Sequence, residues 1–239
     1  MNCAIASLYE HQRVRLRIVN FFREDPARKI FLVLAFAATG CFPLRSDSAA
    51  FRFFPSELNS EQTKKIEILW RYVEDLKPRG LKTGSSFYER NSKFERYFGF
   101  SFSGPALRDW LRVRISGFKS DVSQDYAAHY HRGIVYLNRE FFRFSLWEQT
   151  LVLVHEARHS DGTDFQHVVC PSGFPYLSLR KPETKLEGMA ACDDREDGAY
   201  GFGAAFLFEM YCYGLYPENH GTELLGMYNS ELGRIVAKR

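Results

Sequence analysis

The sequence has no apolar stretch of the length that a membrane-spanning helix needs. Its most apolar run, Ile30–Ala38, is far shorter than the roughly 20 residues that cross a bilayer. Internal repeats and low-complexity tracts are also absent, and no change of composition marks a second domain boundary in the body of the chain. With 239 residues, 45% of them hydrophobic, the chain can bury one sizeable core, and we expect a single domain.

The body of the chain also lacks an excess of charge. The formal net charge is +3, but residues 1–40 hold six of the 32 basic groups and three of the 29 acidic ones, which leaves 26 of each in the remainder. Basic runs are missing, and no predicted helix carries a basic stripe. These absences argue against nucleic acid, and against an anionic membrane surface, as an electrostatic partner.

Residues 1–40 have the pattern of an export leader. Arg28 and Lys29 precede the apolar run, whose length suits the core of a signal peptide. The run ends in Ala38-Thr39-Gly40-Cys41, which resembles the lipobox of bacterial lipoproteins. This resemblance implies a lipid anchor on the cysteine, a tether over 41–58, and a place in the bacterial cell envelope, on the periplasmic side or the outer surface. The alternatives are a plain secretory cleavage site, a short buried helix, or a start codon further along the chain.

Hydrophobic periodicity predicts a mostly helical α+β domain over residues 59–239. A first helix follows a cap at Asn59 or Ser60, and Pro78 ends it. The other predicted elements are a short helix at 91–97 within a loop, a helix or strand at 107–115, a strand at 133–138 and a final helix at 222–236.

The segment after Ser145 predicts the helix that carries the chemistry. Ser145-Leu-Trp-Glu148 is a capping box, and the apolar spacing that follows it is helical. His155 and His159 then lie one turn apart on one face, where both imidazoles can bind one metal ion. Zinc accepts neutral imidazole in tetrahedral geometry, and Glu156 is placed to deprotonate a bound water. We therefore predict one Zn²⁺ per chain.

The bare His-Glu-x-x-His pattern also arises by chance, in a helix with one partly buried histidine and an ordinary surface glutamate. Three features favour the metal site. The apolar turn Leu151–Val154 buries the helix, Gly162 ends it soon after the motif, and the strand ahead of it is expected to form the edge that binds substrate.

A catalytic zinc needs a third protein ligand and an open fourth position. The metzincin spacing would place a histidine where Phe165 stands, and His167 lies two residues further on. The better candidate is Asp197, in a segment where Asp193 is expected to cap a second helix and Glu196 to close the capping box.

The other acidic groups of this segment leave alternatives open. Asp193, Asp194 and Glu196 could bind the metal, or could form only a helix cap favoured by the helix dipole. His167 is a further candidate ligand. An acid that does not bind metal could orient His155 or His159 through the free ring nitrogen, and Asp193 is the first candidate for that role.

Asp197-Gly198-Ala199-Tyr200-Gly201 resembles the Asp-x-x-Tyr-Gly segment of the aspzincins, the deuterolysin-like branch of the zincin metallopeptidases. The resemblance covers this pentapeptide and His155–His159, while Asp194-Arg195 stands where the family has Gly-Thr. It implies that Asp197 binds zinc and that Tyr200 helps to polarise the substrate carbonyl. The alternative for Tyr200 is a tyrosine that only packs in the core.

Together these features predict an exported, lipid-anchored zinc metallopeptidase with peptide or protein substrates. Glu156 would take the proton of the metal-bound water as general base, and Tyr200 would stabilise the tetrahedral intermediate. The alternative is a non-catalytic envelope lipoprotein with a structural or vestigial zinc site. Glu156 favours the enzyme, because a structural site has no need of that carboxylate.

The few cysteines agree with export. Cys3 and Cys41 fall in the leader and at the lipidation site, and Cys170, Cys192 and Cys212 lie in the body. We predict a disulfide between Cys170 and Cys192, because they flank the loop between the two halves of the site and closing that loop would stiffen it. The alternative is three buried thiols.

Overall fold

Helices dominate the computed structural model, which describes residues 56–122, 126–173 and 185–236. About 54% of these residues are helical, and they form one domain of mixed helix and sheet. The predicted leader, Cys41 and most of the tether lie outside them. The α-helices of the described ranges are α1 Ser60–Glu74, α2 Ser85–Asn91, α3 Phe94–Phe98, α4 Gly104–Arg114, α5 Leu146–Arg158, α6 Ala199–Tyr213 and α7 Gly221–Gly233.

Five short strands accompany these helices in the described part of the chain. They are β1 Gly117–Ser120, β2 Ala128–His131, β3 Ile134–Leu137, β4 Val168–Val169 and β5 Ala190–Cys192. A search of the same residues finds no helix with both the length and the apolar character needed to span a bilayer.

Local caps place several helices where the sequence predicts them. Asn59 caps α1, since its side chain accepts from the Gln62 N–H at 2.9 Å and the Gln62 side chain accepts from the Asn59 N–H at 3.0 Å. Ser103 caps α4, so the segment predicted as helix or strand is a helix. The short helix predicted at 91–97 is shifted, because extended backbone at Ser92 separates α2 from α3.

The main sheet has the strand order β1-β3-β2. The predicted strand at 133–138 corresponds to β3, which pairs in parallel with β1 and antiparallel with β2. A two-residue turn joins β2 to β3, with positive φ at Arg132 and Gly133. The prediction that this strand forms the substrate-binding edge is therefore wrong, because both of its edges are already paired. Among the described strands, β2 forms the edge of this sheet that contacts α5, and its Tyr130 main chain hydrogen-bonds a side chain of that helix.

The two helices that bracket the site cross the centre of the core. Helix α6 is buried along almost its whole length, from Ala199 to Met210. Its small residues permit close packing: a Cβ added at Gly203 would lie 3.1 Å from Leu151 Cδ1 on α5 and 2.3 Å from Glu231 Oε2 on α7. Gly203 therefore lets side chains of both neighbouring helices lie directly against the backbone of α6.

Candidate metal centre

Helix α5 starts at the capping box that the sequence predicts. Glu148 Oε2 accepts from the Ser145 N–H at 2.8 Å and from its hydroxyl at 2.6 Å. The α-helix ends at Arg158, and a 3₁₀ turn continues through His159 to Asp161. Gly162 follows with φ at +130°, a conformation that favours glycine, and turns the chain back toward the helix. A second 3₁₀ turn then delivers the chain to residue 167.

Three histidines converge where this turn meets the end of α5. One ring nitrogen each of His155, His159 and His167 lies within 4.8 Å of the others, and the group could hold a metal ion. The Nε2 atoms of His155 and His167 are 3.0 Å apart. The ring centroids of the three are separated by 4.7 to 5.2 Å.

Hydrogen bonds at the other ring nitrogen orient two of the three imidazoles. The Nδ1 of His159 lies 2.6 Å from the Phe165 carbonyl oxygen, and that of His167 lies 2.8 Å from Asp193 Oδ1. Each acceptor holds the proton on Nδ1 and leaves the Nε2 lone pair for a metal. Burial lowers the pKa of His159 to about 4 and that of His155 well below its usual value, so both rings are neutral at pH 7.

Asp193 connects His167 to helix α6. While its Oδ1 orients the imidazole, its Oδ2 accepts from the Tyr200 N–H at 2.8 Å in the first turn of the helix. A Cβ at Gly198 would lie 2.3 Å from Oδ2, so this contact requires glycine there. The Asp193 main chain is fixed as well, by hydrogen bonds to the Arg234 C=O at 2.9 Å and from the Val236 N–H at 2.7 Å. Asp193 therefore orients a histidine, as predicted, but this histidine is His167 and not His155 or His159.

Asp197, the preferred third ligand from the sequence, lies apart from the histidines. Its Oδ1 is 3.0 Å from Arg195 Nε, and its Oδ2 is 3.3 Å from Arg158 Nη2. The hydrogen bond from Arg195 is the main cause that lowers the pKa of this carboxyl. Asp197 does not share a helical face with Tyr200, because α6 begins at Ala199 and Asp197 precedes it.

The remaining acidic candidates are also outside the cluster. Asp194 is exposed. Glu196 does not close a capping box: its carboxylate is exposed and lies 3.6 Å from Lys93 Nζ. The expected cap geometry fails because the helix starts five residues after the position that a capping Asp193 would give it.

Tyr200 lies against the histidines, as its proposed role requires. Its ring stacks on His167 with centroids 4.8 Å apart and meets His155 edge-on at 4.7 Å. Its hydroxyl accepts a hydrogen bond from Arg234 Nη1 at 2.8 Å. Nothing in the sequence near the motif indicates Arg234, which comes from the end of α7.

Glu156 faces the β2 edge. It is 7% exposed, and its carboxylate accepts a hydrogen bond from the main chain of Tyr130. Burial raises the pKa of Glu156 to about 8, against the smaller opposite effect of that hydrogen bond. The motif glutamate is therefore a buried, proton-retaining group and not an ordinary surface residue.

The disulfide joins Cys170 to Cys192, which is the pair preferred from the sequence. Cys170 follows His167 by three residues, and Cys192 directly precedes Asp193. With Leu186 they form a small apolar cluster, against which Val236 packs. Cys212 is a buried free thiol.

A buried carboxyl without a signal in the sequence, that of Glu231, lies against Gly203 of helix α6. Glu231 on α7 is 9% exposed, and its Oε2 has no hydrogen-bond partner among the described residues. Burial raises its pKa from about 4.5 to about 8. The folded protein therefore holds a proton that the unfolded chain releases between these two pH values.

This titration predicts that stability falls as the pH rises through that window, since the folded state binds more protons there. At matched metal content, we expect the free energy of unfolding to decrease by about 3–4 kcal/mol from pH 5 to pH 8 through Glu231 alone. Glu231→Gln should remove this contribution in urea denaturation series, and the exposed Glu218→Gln should not. Parallel pH profiles for wild type and Glu231→Gln would contradict the assignment.

Comparison with protein-family models, with curated proteins and with solved structures gave no match to this chain.

Proposed function

We propose that the chain is a zinc-dependent hydrolase of peptide bonds, anchored at the bacterial cell envelope by a lipid on Cys41. The observation that carries this proposal is the convergence of His155, His159 and His167, with two of them oriented so that Nε2 faces the shared space. Three histidine imidazoles are the ligand set of one class of catalytic zinc site.

The residues present fit zinc in chemistry and in spacing. Tetrahedral Zn–N bonds of about 2.0–2.1 Å hold two ligand nitrogens about 3.3 Å apart. The Nε2 atoms of His155 and His167 are 3.0 Å apart, so a small movement of the side chains gives that spacing. A bound zinc ion would lower the pKa of its water and polarise a peptide carbonyl.

Glu156 supplies the proton transfers in this proposal. As a carboxylate, Glu156 can accept a proton from water, and as the resulting carboxylic acid it can return that proton to the leaving amine. The ionised form, which accepts the proton, becomes more favourable when a cation is bound at the adjacent histidines.

The β2 edge and Tyr200 supply the contacts to substrate. An extended peptide could pair along β2, the strand whose Tyr130 main chain already contacts Glu156, and would then pass the carboxylate. The Tyr200 hydroxyl can donate to the carbonyl oxygen of that peptide. Peptide and protein substrates suit this arrangement because β-strand pairing recognises the main chain.

The disulfide supports the export part of the proposal. Disulfides form and persist in oxidising compartments such as the periplasm and the cell exterior. The bond between Cys170 and Cys192 is therefore in keeping with an exported chain.

One observation favours the alternative, a non-catalytic zinc-binding lipoprotein of the envelope. Glu156 is buried and already hydrogen-bonded to main chain, which is also what a purely structural carboxyl would do. The two functions differ in whether this group reacts.

Elemental analysis together with casein hydrolysis separates them. We expect about one zinc per chain in the wild type and in Glu156→Gln, with hydrolysis reduced by at least about 100-fold in the variant. Glu218→Gln, at an exposed position, should match the wild type in both measurements.

Zinc without hydrolysis of casein or of a mixed peptide library would favour the non-catalytic lipoprotein. A chain that binds no zinc would contradict both functions.

A further inference from the structure

The Tyr200 hydroxyl is a buried group with an unused donor. Tyr200 is 4% exposed, and its oxygen accepts from Arg234 Nη1 at 2.8 Å. Among the described residues none accepts the phenolic hydrogen. A buried donor left unpaired destabilises the fold, so its retention points to an acceptor that arrives with a ligand.

Arg234 determines where that hydrogen points. A phenol oxygen has one hydrogen, and the guanidinium hydrogen bond occupies an acceptor position on the oxygen. The Arg234 Cζ also lies 4.9 Å from the centroid of the Tyr200 ring, so one side chain contacts both the ring and the hydroxyl. The planar, forked guanidinium can make both contacts at once, whereas a lysine ammonium cannot.

The Tyr200 ring, which carries this hydroxyl, lies against two of the proposed metal ligands. The ring contacts His167 and His155 at 4.8 and 4.7 Å between centroids. The charge of Arg234 acts at the same place, since its guanidinium hydrogen-bonds the Tyr200 hydroxyl at 2.8 Å. The cation is therefore close enough to act on an anion that forms there.

The main chain of Arg234 has a separate task. Its carbonyl accepts from the Asp193 N–H at 2.9 Å, next to the carboxylate that orients His167. This bond fixes the point from which the side chain extends. A side-chain substitution at Arg234 leaves the main-chain bond available, so the two tasks can be separated by mutation.

We infer that Arg234 is a positioning residue for Tyr200: its guanidinium directs the phenolic hydrogen toward the substrate carbonyl and, as a cation, stabilises the oxyanion that develops there. This inference rests on the proposed function. It deepens that function by assigning the oxyanion contact to a tyrosine–arginine pair from α6 and α7.

The test compares Arg234→Gln, Arg234→Lys, Tyr200→Phe and the double variant Arg234→Gln/Tyr200→Phe. Arg112→Gln is the matched control, since Arg112 also lies over an aromatic ring, 5.4 Å from the centroid of Trp70, away from the histidines. For each protein we measure kcat, KM, zinc affinity, the Tm of the metal-free chain, and the affinity of a phosphonamidate peptide, a stable analogue of the tetrahedral anion.

We expect Arg234→Gln and Tyr200→Phe each to lower kcat and analogue affinity by about 100-fold, with KM, zinc affinity and metal-free Tm close to wild type. The double variant should be no worse than either single one within about threefold, because the two residues act as a unit. Arg234→Lys should recover only part of the loss.

Losses that multiply in the double variant would overturn the inference, as would Arg234→Gln behaving like Arg112→Gln. So would a loss of zinc affinity or Tm that accounts for the lost activity, since that would make Arg234 a structural residue only. A wild-type chain that binds zinc but neither hydrolyses peptides nor binds the phosphonamidate would contradict the proposed function itself.

Discussion

Replacing His167 by alanine is expected to lower zinc affinity by more than about 100-fold, and Asp197→Asn is expected to leave it unchanged. The structure places the His167 imidazole 3.0 Å from that of His155, whereas Asp197 is engaged by Arg195 and Arg158. Loss of a ligand should exceed the roughly 10–100-fold cost of losing an orienting partner. Zinc titration against a chromophoric chelator gives both affinities.

Replacing Asp193, whose carboxylate hydrogen-bonds His167, is expected to have a smaller effect on zinc affinity than replacing His167 itself. Asp193→Asn should weaken zinc binding by about 10–100-fold, because the amide still reaches the imidazole but carries no charge. Circular dichroism of the metal-free proteins controls for folding. Retention of zinc by His167→Ala and its loss by Asp197→Asn would instead restore the aspzincin ligand set.

Removing the disulfide is expected to cost about 3 kcal/mol of unfolding free energy and to weaken zinc binding as well. The bond closes a loop between residues that are 22 positions apart, and the cost follows from the entropy that the unfolded chain regains. Cys170 and Cys192 flank the contact between His167 and Asp193, so opening the bond frees both sides of that contact.

The measurement is urea denaturation and zinc affinity of Cys170→Ser/Cys192→Ser beside the wild type. Cys212→Ser is the control, because Cys212 is a buried thiol without a disulfide. Reductant should lower the zinc affinity of the wild type to that of the double variant. Unchanged zinc affinity in the double variant would mean that packing alone holds His167 in place.

The helix that carries His155 and His159 could be predicted from the sequence, because the interactions that define it are between residues close together in the chain. The capping box at Ser145 and the i, i+4 spacing of His155 and His159 depend only on helix geometry. The cap of α1 at Asn59 is local in the same way. These features are set within a few residues and do not require knowledge of the rest of the fold.

The third ligand could not be settled in that way. Two 3₁₀ turns and Gly162 separate His159 from His167. Because this segment is not a regular helix, neither the helical period nor the metzincin spacing predicts that His167 lies beside the other two histidines. The preference for Asp197 assumed a helix starting near Asp193. In the fold Asp193 instead caps α6 from a distance, across the Gly198 turn, because His167 and the segment at 234–236 hold it there.

Non-local pairing explains the remaining differences. The β-branched and aromatic residues of β3 indicate a strand correctly but do not show which strands pair with it, so its central position was not foreseen. Arg234 and Glu231 come from a helix far along the chain, and their contacts with α6 have no local signature.

The main-chain bonds between Asp193 and residues 234–236 also set the order in which the site can form. A chain made from its N-terminus presents all three histidines well before these last partners of Asp193 have been synthesised. Until then Asp193 lacks two of the bonds that fix it, and His167 lacks a fixed carboxylate. Tight binding of the proposed metal is therefore expected only late in folding, after residues 234–236 have reached Asp193.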